Sequence, residues 1–186
     1  MTDKTIYYLP GRDGKVATGL GKGILDLGYG LEGRETPYSF KNLSFSEQLE
    51  LVANDLQSNY WSQDAKVVAV SYGCYLLLHT LLALEPYPGS ILLISPVLGG
   101  VINKETLRYY SPARPNKLME LAETESFPAP KHIEIHVGEN DWQSPYERVI
   151  QFSDSVQANY VVVPNVAHDL GKDYVGSVLV EWVRRS

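Results

Sequence analysis

The sequence predicts a three-layer α/β/α architecture around a mainly parallel β-sheet, and three observations carry that expectation. Short apolar runs recur along the chain, at Thr5–Leu9, Lys66–Val70, Ser90–Ser95, Ile133–Gly138 and Asn159–Pro164. Longer stretches suited to helices lie between them, over 44–59, Tyr72–Leu84, Pro145–Val156 and Tyr174–Arg185. The central runs, V-V-A-V and I-L-L-I, are apolar throughout rather than alternating, as strands covered on both faces must be. Strand and helix alternate without repeats or low-complexity tracts, so a single α/β domain over residues 1–186 is expected. A chain of 186 residues has room to bury roughly 70% of its unfolded surface.

Thr5–Leu9 reads as the first strand, and Pro10-Gly11-Arg12-Asp13-Gly14 as a tight turn at its carboxyl end, where open α/β sheets place their ligand sites. Val16, Leu20, Ile24 and Leu27 recur at near-helical spacing and predict a helix over Lys15–Tyr29, although each glycine in its interior costs about 1 kcal/mol. The same glycine-rich passage lacks the G-x-x-x-x-G-K-[ST] spacing of a phosphate loop, which argues against nucleotide binding. Leu31–Thr36 is polar enough for a strand near the sheet edge. Ser44 and Glu47 have capping-box spacing, and Phe45, Leu49, Val52, Ala53 and Leu56 then mark one face of a helix to about Asn59. After Lys66–Val70 comes the helix from Tyr72, which Pro86 and Pro88 end, and after Ser90–Ser95 Pro96 forces a break. From Val97 to Pro130 periodicity fades around four prolines and one short helix, Lys117–Glu123; an excursion of that length is expected to be functional and could cover the site as a small lid.

The net charge of −6 and the lack of a basic block argue against nucleic acid as a partner. The single cysteine, Cys74, permits no internal disulfide and falls inside a predicted helix, which suits a reducing, cytoplasmic location. Ile6–Leu9 is too short for a signal-peptide core, and no segment reaches about 18 apolar residues, so neither export nor a membrane span is expected. Oligomeric state is not legible.

The chemistry centres on Ala69-Val70-Ser71-Tyr72-Gly73, a strand–serine–helix passage with small residues two places either side of the serine. Such a bend crowds the backbone, and this is the G-x-S-x-G nucleophile elbow with alanine in the first place. A serine hydroxyl is weak at neutral pH and needs a base to take its proton and an acid to orient that base. His168 follows the last predicted strand and Asp141 the one before it. Turns after parallel strands all open on one edge of the sheet, so the three side chains can converge.

In these features the chain resembles small, nearly lidless serine hydrolases of the α/β-hydrolase fold family, whose triads run Ser, Asp or Glu, His in sequence. The resemblance covers most of the chain. It implies Ser71 as nucleophile, Asp141 as acid and His168 as base, with the backbone N–H of Tyr72 in the oxyanion hole. The second oxyanion donor would come from the first turn, where the family commonly has His-Gly-x and this chain has Pro10-Gly11-Arg12; Arg12 is the first choice and Gly11 the second. It further implies hydrolysis of a small-molecule ester or thioester through an acyl-enzyme, with no metal or organic cofactor.

Other readings stand beside these. A binding protein that keeps the frame without catalysis is open, given thirteen tyrosines that include Tyr109 and Tyr110. Glu139 is a second candidate for the acid, Asp169 reads as a solvated turn residue, His79 as a helix histidine and Cys74 as a small packed residue. His132 and His136 share a strand face, but no Cys, Asp or Glu spacing supports a metal site there. Arg12 could also bind an acidic substrate group.

Overall fold

A computed structural model describes residues 4–185; residues 1–3 and 186 of the expected domain lie outside the described residues. In chain order the elements are β1 (Thr5–Leu9), α1 (Leu20–Asp26), β2 (Gly30–Gly33), a 3₁₀ turn (Tyr38–Asn42), α2 (Phe45–Asn59), β3 (Lys66–Val70), α3 (Tyr72–Leu81) and β4 (Ser90–Ile94). They continue through β5 (Val101–Asn103), β6 (Arg108–Tyr110), α4 (Lys117–Glu123), β7 (His132–Gly138), α5 (Tyr146–Ser155), β8 (Asn159–Val163) and α6 (Lys172–Arg184).

Six strands form one sheet in the order β2-β1-β3-β4-β7-β8, with every neighbouring pair parallel. Its two faces follow from the period of two along each strand. Tyr7, Leu9, Val67, Ala69, Ile91 and Leu93 join the buried cluster that includes Val52 and Leu56 of α2, Leu77 and Leu81 of α3, Leu118 of α4 and Phe152 of α5. Ile6, Tyr8, Val68, Leu92 and Ile94 join the opposite cluster with Ile24 of α1 and Leu179, Trp182 and Val183 of α6. The three layers are therefore helices, sheet, helices. Among the described residues no helix is long and apolar enough to cross a membrane.

Local sequence signals account for several boundaries. At the start of α2 the Glu47 N–H donates to Ser44 Oγ at 3.3 Å and the Ser44 N–H to Glu47 Oε2 at 2.7 Å, the reciprocal pair that the spacing predicts. α3 stops at Leu81, where the N–H groups of Ala83 and Leu84 bond three residues back to Thr80 and Leu81 and tighten the last turn.

Three expectations need correction. The helix predicted over Lys15–Tyr29 is only Leu20–Asp26, because Gly19 and Gly28 take positive φ, 52° and 82°, at its two ends. The second strand is shorter and earlier than Leu31–Thr36, although it does lie at the edge. The excursion is more ordered than its periodicity suggests: β5 and β6 pair as an antiparallel hairpin, and Leu118, Ala122 and Phe127 are buried. Its turn is held by Asn103 Oδ1, which accepts the N–H groups of Glu105 and Thr106 at 3.0 Å each. Strands of three residues are too short to show a period, so that asparagine was the only local cue.

The close approach of α3 to β1 depends on Gly73. A Cβ there would run into the carbonyl oxygens of Leu9 and Pro10, which are backbone and cannot swing aside. Gly73→Ala should lower stability by about 2 kcal/mol or more, read as a shift in urea midpoint.

His79 is the second sensitive point on α3. It is 1% exposed, its two ring nitrogens have no hydrogen-bond partner among the described residues, and it packs between Tyr75 and Phe45 with ring centroids at 4.3 and 5.2 Å. Burial, reinforced by the charges of Arg114 and Lys117, pushes its pKa down from 6.5 to about 4. Between those values the unfolded chain binds a proton that the folded chain refuses, so stability is full above the unfolded value and declines as pH falls toward 4. Replacement by leucine should remove up to about 3 kcal/mol of that acid-side loss, measured as the difference between the two proteins' unfolding free energies across the window.

Candidate functional site

β3 leads directly into the bend at Ser71, whose backbone sits at φ 51°, ψ −114° before α3 begins at Tyr72. Side-chain-bearing residues rarely adopt positive φ, and the surroundings hold this one there. The Ser71 N–H donates to Ile94 O at 2.9 Å, and the Ser71 carbonyl accepts from Cys74 N at 3.1 Å and Val97 N at 3.4 Å. Ala69, fully buried, and Gly73 supply the small neighbours that the crowded turn needs.

Asp141 and His168 come from the turns that follow β7 and β8. These two turns meet at Gly138, where a Cβ would strike the carbonyls of Val166 and Ala167. The Asn140 N–H donates to Val166 O at 2.8 Å and locks the pair of turns together. Asp141 is buried, and its Oδ1 accepts the N–H groups of Gln143 at 2.9 Å and Ser144 at 3.1 Å. Its Oδ2 lies 2.7 Å from His168 Nδ1, and His168 Nε2 lies 2.8 Å from Ser71 Oγ. A carboxylate accepts and does not donate, so the Nδ1–H points at Asp141 and leaves Nε2 to accept the serine proton.

Ser71, Asp141 and His168, the three residues singled out from sequence, thus stand in one hydrogen-bonded row, with the acid fully covered and the His168 side chain 26% exposed. Glu139, the second candidate for the acid, is turned elsewhere: its Oε2 accepts the Asn165 N–H at 2.8 Å. Asp169 caps its own turn by accepting from Gly171 N at 2.9 Å. Cys74 is buried with its Sγ 3.6 Å from Ile94 O, and burial pushes its thiol pKa up, as befits a packed residue. His136 has both ring nitrogens occupied, by Tyr174 Oη at 2.7 Å and Glu134 Oε1 at 2.8 Å, whereas His132 on the same face is exposed. The two therefore form no paired metal site, and among the described residues no cluster of three or more His, Cys, Asp or Glu could hold a metal.

The turn after β1 lies against the serine. A Cβ on Gly11 would sit 3.4 Å from Ser71 Cβ and 3.9 Å from Ser71 Oγ. The N–H of Tyr72 opens α3, where helical geometry supplies no acceptor.

Two residues that sequence reasoning missed tie the row together. Ser95, at φ 47° just past β4, donates from Oγ to His168 O at 2.8 Å and from its N–H to His136 O at 2.8 Å. Ser144 donates from Oγ to Ser95 O at 3.1 Å. Both precede a proline, Pro96 and Pro145, and that Ser-Pro pairing was the only signal in the sequence.

A parallel sheet covered on both faces, with a serine on a strained strand-to-helix turn and an acid and a histidine on later turns, defines the α/β-hydrolase fold, and this chain has it. No family model matches the sequence, and no curated protein sequence matches it. Solved structures do. A Paleococcus ferrophilus monoacylglycerol lipase superposes with a TM-score of 0.71 at 10% identity, covering 96% of this chain and 93% of the lipase. Mouse alpha/beta hydrolase domain-containing protein 10 gives 0.68 at 13% identity, covering 96% and 87%. An uncharacterized protein from Bacillus cereus ATCC 10987 gives 0.67 at 15% identity; 98% of this chain is matched, and it spans 59% of that protein's length.

The Ser95 bond to His168 O can be weighed separately. Ser95→Ala should cost about 1 kcal/mol, seen as a lower urea midpoint at unchanged m-value.

Proposed function

We propose that this chain is a serine hydrolase that cleaves a small-molecule carboxylester or thioester through an acyl-enzyme. The observation that carries the reading is the continuous row Asp141 Oδ2–His168 Nδ1, His168 Nε2–Ser71 Oγ at 2.7 and 2.8 Å. In this reading Ser71 Oγ attacks the carbonyl carbon while His168 Nε2 takes its proton. Asp141 holds the imidazole tautomer and offsets the imidazolium charge. The negative charge that develops on the carbonyl oxygen is met by the N–H of Tyr72 and by that of Arg12, with Gly11 as the alternative donor. His168 then returns the proton to the leaving oxygen or sulfur, and water, activated by the same imidazole, releases the acid. Each proton that His168 takes, first from Ser71 and then from water, it passes on, to the leaving group and back to Ser71 Oγ.

The likeness to a monoacylglycerol lipase supports an ester as substrate only at the level of the fold. The excursion over 97–130 is proposed as a small cover beside the serine, supported by the way Val97 N bonds Ser71 O. A reducing, cytoplasmic location is proposed on the buried thiol of the single cysteine, Cys74.

A second reading, a catalytically silent module that binds a protein partner, draws on one feature. Ile102, Leu107 and Tyr109 are 68%, 81% and 78% exposed on the β5–β6 hairpin. A serine-directed fluorophosphonate probe separates the two readings. The hydrolase should be labelled at neutral pH, Ser71→Ala should abolish the label, and Asp141→Asn should lower kcat/KM by about 10⁴. A native protein that takes no label between pH 6 and 9 at about millimolar probe would favour the silent module.

A further inference from the structure

Arg12 is held in a way that its backbone role does not require. Its guanidinium carbon lies 5.3 Å from the centroid of the Tyr72 ring and 5.0 Å from that of Tyr110, within cation–π range of both. One terminal nitrogen donates to Tyr110 Oη at 2.9 Å. Tyr72 is in turn anchored by its own hydroxyl to Gln48 Oε1 at 3.0 Å. The two rings and the bond to Tyr110 hold the guanidinium in place but use up little of its donor capacity. Five N–H groups are available on an arginine, and among the described residues only the bond to Tyr110 is made to a side-chain acceptor. Among the described residues Arg12 forms no ion pair, whereas Arg34 and Arg185 each pair with a carboxylate, Asp55 and Glu134. In a chain of net charge −6, an exposed arginine that pairs with no carboxylate among the described residues, yet is held in place, is poised for an external one.

Its location decides what that anion belongs to. A Cβ on Gly11 would lie 3.4 Å from Ser71 Cβ, Arg12 follows Gly11, and its guanidinium carbon lies 5.3 Å from the ring of Tyr72, the residue after Ser71, so the arginine is anchored on the two segments that adjoin the serine. An arginine side chain reaches only about two residue lengths, ~7 Å, from its backbone. A group bound there and a carbonyl at Ser71 can therefore belong to one small molecule. A single guanidinium offers one charge and a planar fork, which matches a carboxylate.

We propose that Arg12, clamped by Tyr72 and Tyr110, binds a carboxylate carried by the substrate, so that the preferred substrates are short esters or thioesters bearing a free acid group. The inference rests on Ser71 being the reacting centre, and it adds the substrate class. It also gives the β5–β6 hairpin a role: Tyr110, at the end of β6, carries the aromatic ring and hydroxyl that hold the specificity residue.

The test pairs each acid with its neutral counterpart. Binding is measured by calorimetry on Ser71→Ala, which cannot turn over its ligand. The probes are monomethyl glutarate against dimethyl glutarate, which places the acid on the acyl side, and 4-acetoxybutyrate against its methyl ester, which places it on the leaving side. At least one acid should bind about tenfold or more tightly than its neutral partner, and raised salt should narrow the gap. Adding Arg12→Gln should close it, and Arg12→Lys should retain part of it because the charge survives without the fork. On the wild-type protein the ratio of kcat/KM for acid over neutral ester should fall about tenfold in Arg12→Gln. Equal binding of acid and neutral ester by the Ser71→Ala protein overturns the proposal, as does a parallel loss on both in Arg12→Gln, which would mark the arginine as a pin for the hairpin only. Failure of the hydrolase reading is distinct from either: it would appear as no fluorophosphonate label and no turnover, with the binding preference still measurable.

Discussion

The structure depends on one steric constraint, the packing of the start of α3 against the end of β1. For the bend at Ser71 to form, the chain must leave β3 in a left-handed conformation and enter a helix within one residue. The helix can then approach the carbonyls of Leu9 and Pro10 only if position 73 has no side chain. What the crowding costs is offset by the parallel pairing of β3 with β1 and β4, by the Ser71 N–H bond to Ile94 and by the wholly buried apolar residues that α3 brings with it. One packing contact thus sets three things together: the exposure of the serine hydroxyl, the orientation of the Tyr72 N–H and the position of the Gly11–Arg12 turn.

The acid and the histidine are organised by a second, weaker version of the same device. Gly138 lets the turns after β7 and β8 touch, and backbone bonds from Asn140 and Asp141 stiffen the result. Asp141 spends one oxygen on the N–H groups of its own turn and keeps the other for His168, so its direction is settled before the imidazole arrives. Ser144 and Ser95 then link that turn, the end of β4 and the His168 backbone in one chain of hydrogen bonds. The row from Asp141 to Ser71 is fixed at its Asp141 end by this network.

The excursion between β4 and β7 packs on the helices and brings Tyr110 to Arg12. Its buried residues attach it to α3 and α5, while the hairpin sets Tyr110 across from Tyr72 with Arg12 between them. Gln48 from α2 holds the other tyrosine. Four separate segments, the first turn, α2, the bend at Ser71 and the hairpin, therefore contribute to holding the Arg12 guanidinium.

By itself the sequence determined the alternation of strands and helices, the capped start of α2, the bend at Ser71 and the candidates Asp141 and His168. Each of these is a local pattern: a run of apolar residues, a pair at capping spacing, small residues around a serine, or a polar residue just after a strand. Only the tertiary structure decided the strand order, the roles of Ser95, Ser144 and Tyr110, the turning of Glu139 away from the row, and the two-stranded hairpin within the excursion. Those depend on contacts between residues such as Ser95 and His168, or Arg12 and Tyr110, which lie 73 and 98 positions apart. A hydrogen bond across that separation requires no periodicity, propensity or spacing at either end, so it leaves no mark in the sequence until the sheet has brought the two partners together.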